Sequence, residues 1–363
     1  MITQTFFSLV RLSIGATDCL SQCSSTDEWG ELYRMAVKQS LVGVCFVGVR
    51  HHVEIVQQSG KKANIPQKMY YQWLATAAQI QQRNEMMNKS CEELQSKLSS
   101  SGFKSTILKG QGVAALYSEL KKFRQPGDID VWCQGHSIEQ IVAYLKKQGY
   151  AYHATAAHVE TDFFEGVPVE FHAYPSFLRC PWRNRRLQKW IDSFNIENFD
   201  DSLGFRTPPF EFNVIFLLMH MFHHVVHEGL GLRQLMDYYF LLKYNHQICD
   251  FSNYIKTIEY LGLSKFAGAV MWVLKEVFCL EDNIMICPPN KKLGSLLLEE
   301  ILQGGNFGKY TSKKKGLREK NAILRTYNYT KRRLRFFTMA PEEVACAPFW
   351  SLWHYFWRRK RGY

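Results

Sequence analysis

Hydrophobic and polar residues follow three different patterns along the chain, and the first is helical. Over the first hundred residues, apolar side chains recur about every 3.6 residues, as one face of a helix requires. The positions that show this period are Trp29, Leu32, Met35, Ala36 and Leu41. Residues 69–98 contain neither Gly nor Pro, and Ser and Gly at positions 99–102 end the run. We therefore predict an N-terminal helical region over residues 1–101.

The pattern changes in residues 102–205, where short stretches with strand character alternate with helical ones. The predicted strands are residues 103–108, 128–133, 158–164 and 167–173, and the predicted helices are residues 113–122 and 137–148. Glu165-Gly166, between the last two strands, indicates a hairpin. This alternation predicts a small mixed-sheet domain.

Helical periodicity returns after Pro208-Pro209. It covers residues 212–226, 232–244, 251–261, 265–278 and 293–303. We therefore predict a C-terminal helical region with a basic tail over residues 206–363. Together the three regions predict an α+β fold, in which a small mixed-sheet domain is flanked by N-terminal helices and a C-terminal helical bundle.

Composition places the chain among globular proteins, since 46% of its 363 residues are hydrophobic and 14% are aromatic. The formal net charge of +12 favours an anionic partner. Charge alone does not choose among a nucleotide triphosphate, nucleic acid, acidic lipid and a phosphorylated metabolite.

The ten cysteines are scattered, and none stands in a two-residue-spaced pair suited to zinc. They predict buried thiols in a reducing compartment, and therefore a cytoplasmic protein. The apolar residues near the start lack the basic flank and the cleavage site of a signal peptide. The longest apolar stretch, residues 41–49, is too short to cross a bilayer, so we expect a soluble or peripheral protein.

Three acidic residues of the predicted sheet domain form the most informative motif. Asp128 and Asp130 stand at positions i and i+2 of a predicted strand, so both side chains point to one face while Ile129 and Val131 point to the core. Glu170 lies on a later predicted strand. Carboxylates held this close favour a cation, and Mg²⁺, with Mn²⁺ as the alternative, takes such oxygen ligands together with substrate phosphates. We predict that Asp128, Asp130 and Glu170 are catalytic metal ligands.

Residues suited to phosphate binding surround this motif. Lys109 and Gly110 stand at a predicted strand-to-helix turn, where backbone N–H groups and the helix dipole favour anions. Arg124 precedes the aspartate pair by four residues and is suited to a two-pronged phosphate contact. An Asp-x-Asp pair alone is more often a solvated strand end. The glycine turn before it and the acidic strand after it favour the metal site.

Taken together, these motifs resemble those of the polymerase-β-like nucleotidyltransferase superfamily, and more closely those of the bacterial uncharacterised nucleotidyltransferases. The residues that carry the resemblance are Leu108-Lys109-Gly110, Tyr117, Arg124, Asp128-Ile129-Asp130 and Glu170-Phe171-His172. The resemblance implies a metal-binding pair at Asp128 and Asp130 and a third carboxylate at Glu170. The superfamily usually has Gly-Gly or Gly-Ser where this chain has Lys109-Gly110.

These features predict a metal-dependent nucleotidyltransferase that moves a nucleoside monophosphate from a nucleotide triphosphate to a small or macromolecular acceptor. Two alternatives remain open. The departure at Lys109 favours a catalytically silent nucleotide-binding or regulatory protein of the same fold. A small-molecule phosphotransferase would release a nucleoside diphosphate in place of pyrophosphate.

Four histidines recur along one side of a predicted helix, where a zinc site is conceivable. They are His220, His223, His224 and His227. Without a nearby cysteine, the favoured interpretation is that they pack or form hydrogen bonds between lobes, with one or two facing the cleft. Arg233 and Asp237 stand four residues apart and are expected to form a helical ion pair.

The aromatic and basic residues 349–361 suit either a peripheral membrane contact or a helix docked on the bundle, and docking is favoured. Basic clusters at residues 313–315 and 331–333 lack the interleaved aromatic residues of a single-strand-binding module. We therefore do not expect specific nucleic-acid binding.

Overall fold

A computed structural model describes residues 2–20, 25–245, 251–310 and 330–361 of the chain. The predicted α+β class is confirmed, because a five-stranded mixed sheet lies in the middle of the sequence and helices precede and follow it. The predicted cluster at residues 313–315 lies outside the described residues.

The N-terminal part is helical, as the apolar period predicts. Its helices are α1 (Ile2–Ser13), α2 (Thr26–Gln39), α3 (Val42–Gln58) and α4 (Gln67–Ser100). Helix α2 starts at a capping box: the Ser25 hydroxyl accepts the Glu28 N–H, and the Glu28 carboxylate accepts the Ser25 N–H. The 34-residue helix α4 confirms that the breaker-free run forms one element.

The sheet follows α4. Its strands are β1 (Ser105–Leu108), β2 (Ile129–Cys133), β3 (His153–Ala154), β4 (His158–Phe164) and β5 (Val167–His172). The spatial order is β1-β2-β5-β4-β3, with β2 and β5 parallel and the other neighbours antiparallel. The hairpin predicted at Glu165-Gly166 joins β4 to β5. Strand β3 has only two residues and was not predicted.

The two faces of β2 meet different cores, which explains why all five of its residues are buried. Ile129 and Val131 pack in a cluster with Leu145 of helix α6 (Ile138–Lys147). Trp132, on the opposite face, belongs to the larger cluster formed by the helices. The face of the sheet that carries Asp130 is therefore turned toward the helices.

The segment between β1 and β2 differs from the single helix predicted over residues 113–122. A five-residue helix, α5 (Gly110–Ala114), leads into a 3-10 segment (Ala115–Phe123) that breaks at Ser118, where φ is +50°. Glycine at positions 110 and 112 weakens an α-helix. Tyr117 and Arg124 are also drawn to a buried partner on a later helix, and this tertiary contact competes with regular helix geometry.

The part of the chain after the sheet is mainly helical, and its longer helices number seven among the described residues. They are α7 (Pro181–Ile191), α8 (Phe210–His227), α9 (Leu232–Asn245), α10 (Ser252–Tyr260), α11 (Ser264–Phe278), α12 (Lys291–Gly304) and α13 (Pro341–Arg361). Side chains from both ends of the chain share one core, which contains Phe6, Trp29, Phe216 and Phe266. Within the described residues, no helix combines the length and the apolar character needed to cross a membrane.

The expectation that the cysteines are buried holds for only part of the set. The described cysteines are free thiols, and Cys45, Cys91, Cys133 and Cys180 are buried. Cys19 and Cys279 are exposed; Cys19 follows α1, and Cys279 caps the end of α11 in a left-handed conformation.

Candidate functional site

Asp130 and Glu170 lie side by side on the two parallel strands at the centre of the sheet. They are register partners on β2 and β5, so their side chains project from the same face. The Asp130 side chain is 2% exposed and that of Glu170 is 25% exposed. The sheet therefore brings two of the three predicted carboxylates together at the bottom of a cleft.

His172 bridges these two carboxylates. Its Nε2 atom lies 2.9 Å from Asp130 Oδ1 and 3.4 Å from Glu170 Oε2. Burial alone would lower the pKa of His172, but the hydrogen bonds and charges of the two carboxylates outweigh burial and raise this pKa to about 9. A protonated imidazole therefore stands between two acidic groups that would otherwise repel each other.

Lys109 adds a second positive charge at the same point. Its Nζ atom lies 2.8 Å from Asp130 Oδ1, the oxygen that His172 also contacts. Burial favours a lower pKa for Lys109, yet the charges of Asp130, Asp128 and Glu170 raise it. The backbone of Lys109 has φ +48°, a region that favours glycine. We call Lys109, Asp130, Glu170 and His172 the carboxylate cluster.

Strand β4 extends the polar surface beside this cluster, a feature that the sequence reasoning missed. Glu160 pairs in register with Glu170, and His158 pairs with His172. His158 Nε2 lies 3.0 Å from Glu160 Oε1. The signal was present in the sequence, because β4 and β5 both alternate polar and apolar residues and a hairpin aligns their polar positions.

Two groups of side chains in the described residues have donor atoms close enough to hold a metal ion. Asp130, Glu170 and His172 form one group, and His158, Glu160 and Glu170 form the other, with donor atoms within 4.8 Å of one another in each. Carboxylate oxygens suit Mg²⁺ and Mn²⁺, and a neutral imidazole nitrogen suits Mn²⁺ and heavier ions, so His172 has to lose its proton before it can bind a metal. The donor set therefore fits a divalent cation.

Asp128 stands just before β2 and faces the same cleft, although it belongs to neither group of donor atoms. All six residues predicted from the sequence line one cavity of about 390 Å³. They are Lys109, Gly110, Arg124, Asp128, Asp130 and Glu170. The structure thus brings the predicted residues together, and the role of Asp128 as a ligand stays a prediction.

Arg124 reaches this cavity but is largely committed to a buried partner. Its Nε and Nη2 atoms donate to the two carboxylate oxygens of Asp237 on α9, at 2.7 and 2.8 Å. The Tyr117 hydroxyl donates to the same carboxylate at 2.6 Å. Nη1 of Arg124 is buried and has no hydrogen-bond partner in the described part of the protein. Asp237 therefore takes most of the hydrogen-bonding capacity of Arg124, and the phosphate contact predicted for this residue stays a prediction.

The ion pair expected between Arg233 and Asp237 is absent from the described residues, and that prediction is wrong. Arg233 Nη1 donates to the carbonyl oxygen of Gln125 at 3.0 Å, and its guanidinium lies over the ring of Phe307. Asp237 is instead held by Arg124 from the β1–β2 connection. A tertiary contact has replaced the local one, because the bidentate geometry binds the carboxylate more strongly.

Two of the four histidines of α8, His220 and His224, form a hydrogen-bonded chain with Glu228 on the opposite wall of the cleft. His224 Nδ1 lies 2.8 Å from Glu228 Oε2, and His224 Nε2 lies 2.9 Å from His220 Nε2. Burial lowers the pKa of His220, His223 and His227, so these rings are neutral near pH 7. The arrangement agrees with hydrogen-bonding histidines that face the cleft, the favoured interpretation of this motif.

The first half of α13 docks on the body of the protein. The buried carboxylate of Glu343 accepts the backbone N–H groups of Arg179 and Cys180, at 2.8 and 3.2 Å. Trp350 and His354 of the same helix line the cavity that holds the carboxylate cluster. The docking expected for this aromatic stretch is therefore present, and a membrane contact of its exposed side stays a prediction.

Comparison with known proteins agrees with this geometry. A family model described as uncharacterised nucleotidyltransferase matches residues 25–279, a range that contains the whole carboxylate cluster and the histidines of α8 but not α13. No curated protein matches the chain. Since the match spans more than half of the sequence, the resemblance noted from the motifs is confirmed, and the chain belongs to the family of uncharacterised nucleotidyltransferases.

Proposed function

We propose that the protein transfers a nucleoside monophosphate from a nucleotide triphosphate to an acceptor hydroxyl or phosphate, with Mg²⁺ or Mn²⁺ held by Asp128, Asp130 and Glu170. The bond between the α-phosphorus and the β-bridging oxygen breaks, and pyrophosphate leaves. The acceptor oxygen forms the new bond to the α-phosphorus, and where the acceptor is a hydroxyl its proton passes to solvent water. The observation that carries this proposal is the pairing of Asp130 with Glu170 on adjacent parallel strands beside Lys109.

The side chains of the cleft have separate tasks in this proposal. A divalent ion, when bound, would neutralise phosphate charge and lower the pKa of an acceptor hydroxyl. His172 forms a hydrogen bond with Asp130 and an ion pair with Glu170, and so holds the orientation of both carboxylates. The ammonium of Lys109 and the unpartnered Nη1 of Arg124 supply positive charge to the triphosphate. Gly110, with φ +41°, follows Lys109 at the turn where the phosphates would approach.

The division into regions is part of the same proposal. Residues 102–205 would supply the carboxylates, and the helices of residues 1–101 and 206–363 would shape the cleft and select the substrates. The free thiols of the described residues support a reducing, cytoplasmic location.

A second candidate is a catalytically silent protein that binds a nucleotide without turning it over. The observation that favours it is the ammonium of Lys109 at 2.8 Å from Asp130, since this cation already neutralises a carboxylate that the transfer reaction needs for metal. The two candidates differ in one measurable property, which is the appearance of a covalent product.

Transfer of radiolabel separates the candidates. The full chain is incubated with Mg²⁺ or Mn²⁺, a pool of small-molecule acceptors, and each triphosphate labelled at either the α- or the γ-phosphate. A nucleotidyltransferase moves the α-label and releases pyrophosphate, and a phosphotransferase moves the γ-label. Triphosphate binding in calorimetry without movement of either label identifies the silent protein. If the protein neither binds a triphosphate nor transfers a label, both candidates are overturned.

Three variants make the assay specific for the cleft. Asp130→Asn and Glu170→Gln keep the shape of each side chain and remove a ligand charge, so we expect transfer to fall at least about 100-fold. Asp162→Asn is the matched control, because Asp162 lies exposed on β4 outside the cleft. Equal transfer in the Asp130 variant and the control would rule out the proposed metal site.

A further inference from the structure

A second cavity adjoins the one that holds the carboxylate cluster. Its volume is about 1010 Å³, and it lies between α13 and the segment that leads into α7. Five residues line both cavities and so form their common border. They are Ala156, Ala157, Tyr174, Phe177 and Trp350. The two cavities are therefore immediate neighbours.

Four large aromatic side chains in this second cavity are exposed. Tyr174 is 52% exposed, Trp182 53%, Phe349 76% and Trp353 51%. Exposed aromatic surface of this extent, gathered around one concavity, is typical of a binding site, because covering it with an apolar ligand removes that surface from water. Aromatic rings also favour flat partners that can stack on them or meet them edge to face.

The border between the cavities is held in place by stacking. The rings of Phe177 and Trp350 lie 5.4 Å apart with an angle of 18° between their planes. The guanidinium of Arg179 lies over the ring of Trp350 at 4.7 Å. Phe177 also meets the ring of His223 on α8, at 5.1 Å. These contacts tie α13 to the wall of the cleft, so the apolar cavity keeps a fixed position beside the carboxylate cluster.

The two cavities differ in chemistry, and each suits a different substrate of a two-substrate reaction. The smaller one holds the carboxylates, Lys109 and Arg124, which suit a triphosphate. The larger one has few polar groups for its size, and Asn184, Gln188 and Asp192 are among them. A nucleobase has polar atoms around its whole edge and fills only a small part of such a volume. A large apolar body fits the second cavity better.

We propose that this cavity binds the acceptor, and that the acceptor carries its reactive hydroxyl or phosphate on an apolar body that contains aromatic rings. The inference rests on the proposed function and names the substrate class for it. The apolar body lies against Trp182, Phe349 and Trp353, while its reactive oxygen passes Phe177 and Trp350 toward Asp130 and Glu170. That oxygen forms the bond to the α-phosphorus as pyrophosphate leaves.

The test uses 1-anilinonaphthalene-8-sulfonate, an aromatic anion whose fluorescence rises in apolar sites, titrated into the full chain. We expect one saturable site. Ala345 lines the cavity on the exposed side of α13, so Ala345→Trp fills the site and should weaken binding at least about tenfold. Leu352→Trp places the same side chain on the same helix outside the cavity and should leave the affinity unchanged.

A second pair of variants shortens side chains of α13 to alanine instead of filling the second cavity. Trp353→Ala should weaken probe binding, and Leu352→Ala should not, although both residues are more than half exposed. Saturable binding that depends on Ala345 and Trp353 supports the proposal. No saturable binding, equal effects in the matched variants, or displacement of the probe by triphosphate would overturn it, the last because the nucleotide would then occupy the cavity.

The probe experiment is independent of the transfer reaction. Binding of the probe needs neither metal nor nucleotide, so Asp130→Asn should bind it as the wild type does. Absence of transfer in the wild type would overturn the proposed function. Loss of probe binding in Asp130→Asn would instead show that the second cavity does not bind on its own, and would overturn the inference drawn from it.

Discussion

Lys109 and Asp130 form a buried ion pair in which the ammonium lies 2.8 Å from the carboxylate. The same carboxylate oxygen also contacts His172. Two cations therefore share one anion in the absence of metal, and a divalent ion that binds here has to compete with both. The pair makes the affinity for metal depend on a residue that is itself no metal ligand.

Removing the ammonium should increase the affinity of the site for metal. In Lys109→Met the side chain keeps its length but loses its charge, so a divalent ion meets less repulsion. We expect Mn²⁺ to bind at least about tenfold more tightly, as measured by electron paramagnetic resonance of free Mn²⁺. Lys104→Met is the control, because Lys104 pairs with Glu197 on the surface. Weaker Mn²⁺ binding in Lys109→Met would show that Lys109 supports the metal site.

The backbone at Lys109 provides a separate prediction about stability. With φ at +48°, a residue that has a Cβ atom is strained by about 1–3 kcal/mol, whereas glycine is not. Lys109→Gly and Lys109→Ala both remove the ammonium and the side-chain stem, so the two variants differ only in whether a Cβ atom stands at this φ. We expect urea unfolding to show the glycine variant as more stable by about 1 kcal/mol or more. An alanine variant that is as stable as the glycine variant would mean that the turn relaxes.

The raised pKa of His172 predicts a pH-dependent stability when metal is removed by a chelator. Its pKa is about 9 in the folded protein and near 6.5 in the unfolded chain. The stabilisation is therefore complete below pH 6.5 and is lost as the pH rises through 9. Between pH 6.5 and 9, the free energy of unfolding in urea should therefore fall for the wild type relative to that of His172→Gln.

A matched substitution checks that the effect belongs to this site. Burial lowers the pKa of His52, so His52 is already neutral over the same pH range. The unfolded chain has also lost its His52 proton by about pH 7.5, so His52→Gln should leave the slope of stability against pH unchanged above that value. If stability falls with pH equally in the wild type and in His172→Gln, the raised pKa of His172 beside the two carboxylates is contradicted.

The shared face of Asp130 and Glu170 could be predicted from the sequence, because strand alternation is a local rule. Once Asp130 and Glu170 are assigned to strands with buried neighbours, their faces follow from a period of two. The strands β2 and β5 are separated by about forty residues of sequence, and no local pattern shows that they pair. The identification of a superfamily motif supplied that link.

Contacts between distant elements account for what the sequence reasoning missed. The Arg124 side chain was expected at the phosphates and Asp237 was expected to pair with Arg233, but the fold joins Arg124 to Asp237. Trp350 reaches the cleft from a helix far along the chain. No periodicity within one element reports such a contact, since the two partners are adjacent only after the helices pack on the sheet.

The network around Asp237 should be the most sensitive polar contact tested by a single substitution. The carboxylate accepts two hydrogen bonds from Arg124 and one from Tyr117, and all three side chains are buried. Asp237→Ala leaves the guanidinium of Arg124 buried without its counter-charge, which costs about 3–5 kcal/mol. Asp282→Ala removes the same group from an exposed pair with Lys275 and should cost less than about 1 kcal/mol. Tyr117→Phe removes one hydrogen bond and should cost about 1 kcal/mol. Urea unfolding measures the loss of stability in all three variants. A similar loss for Asp237→Ala and Asp282→Ala would mean that water reaches Arg124. The ion pair of Arg124 with Asp237 would then not be what fixes the β1–β2 connection to α9.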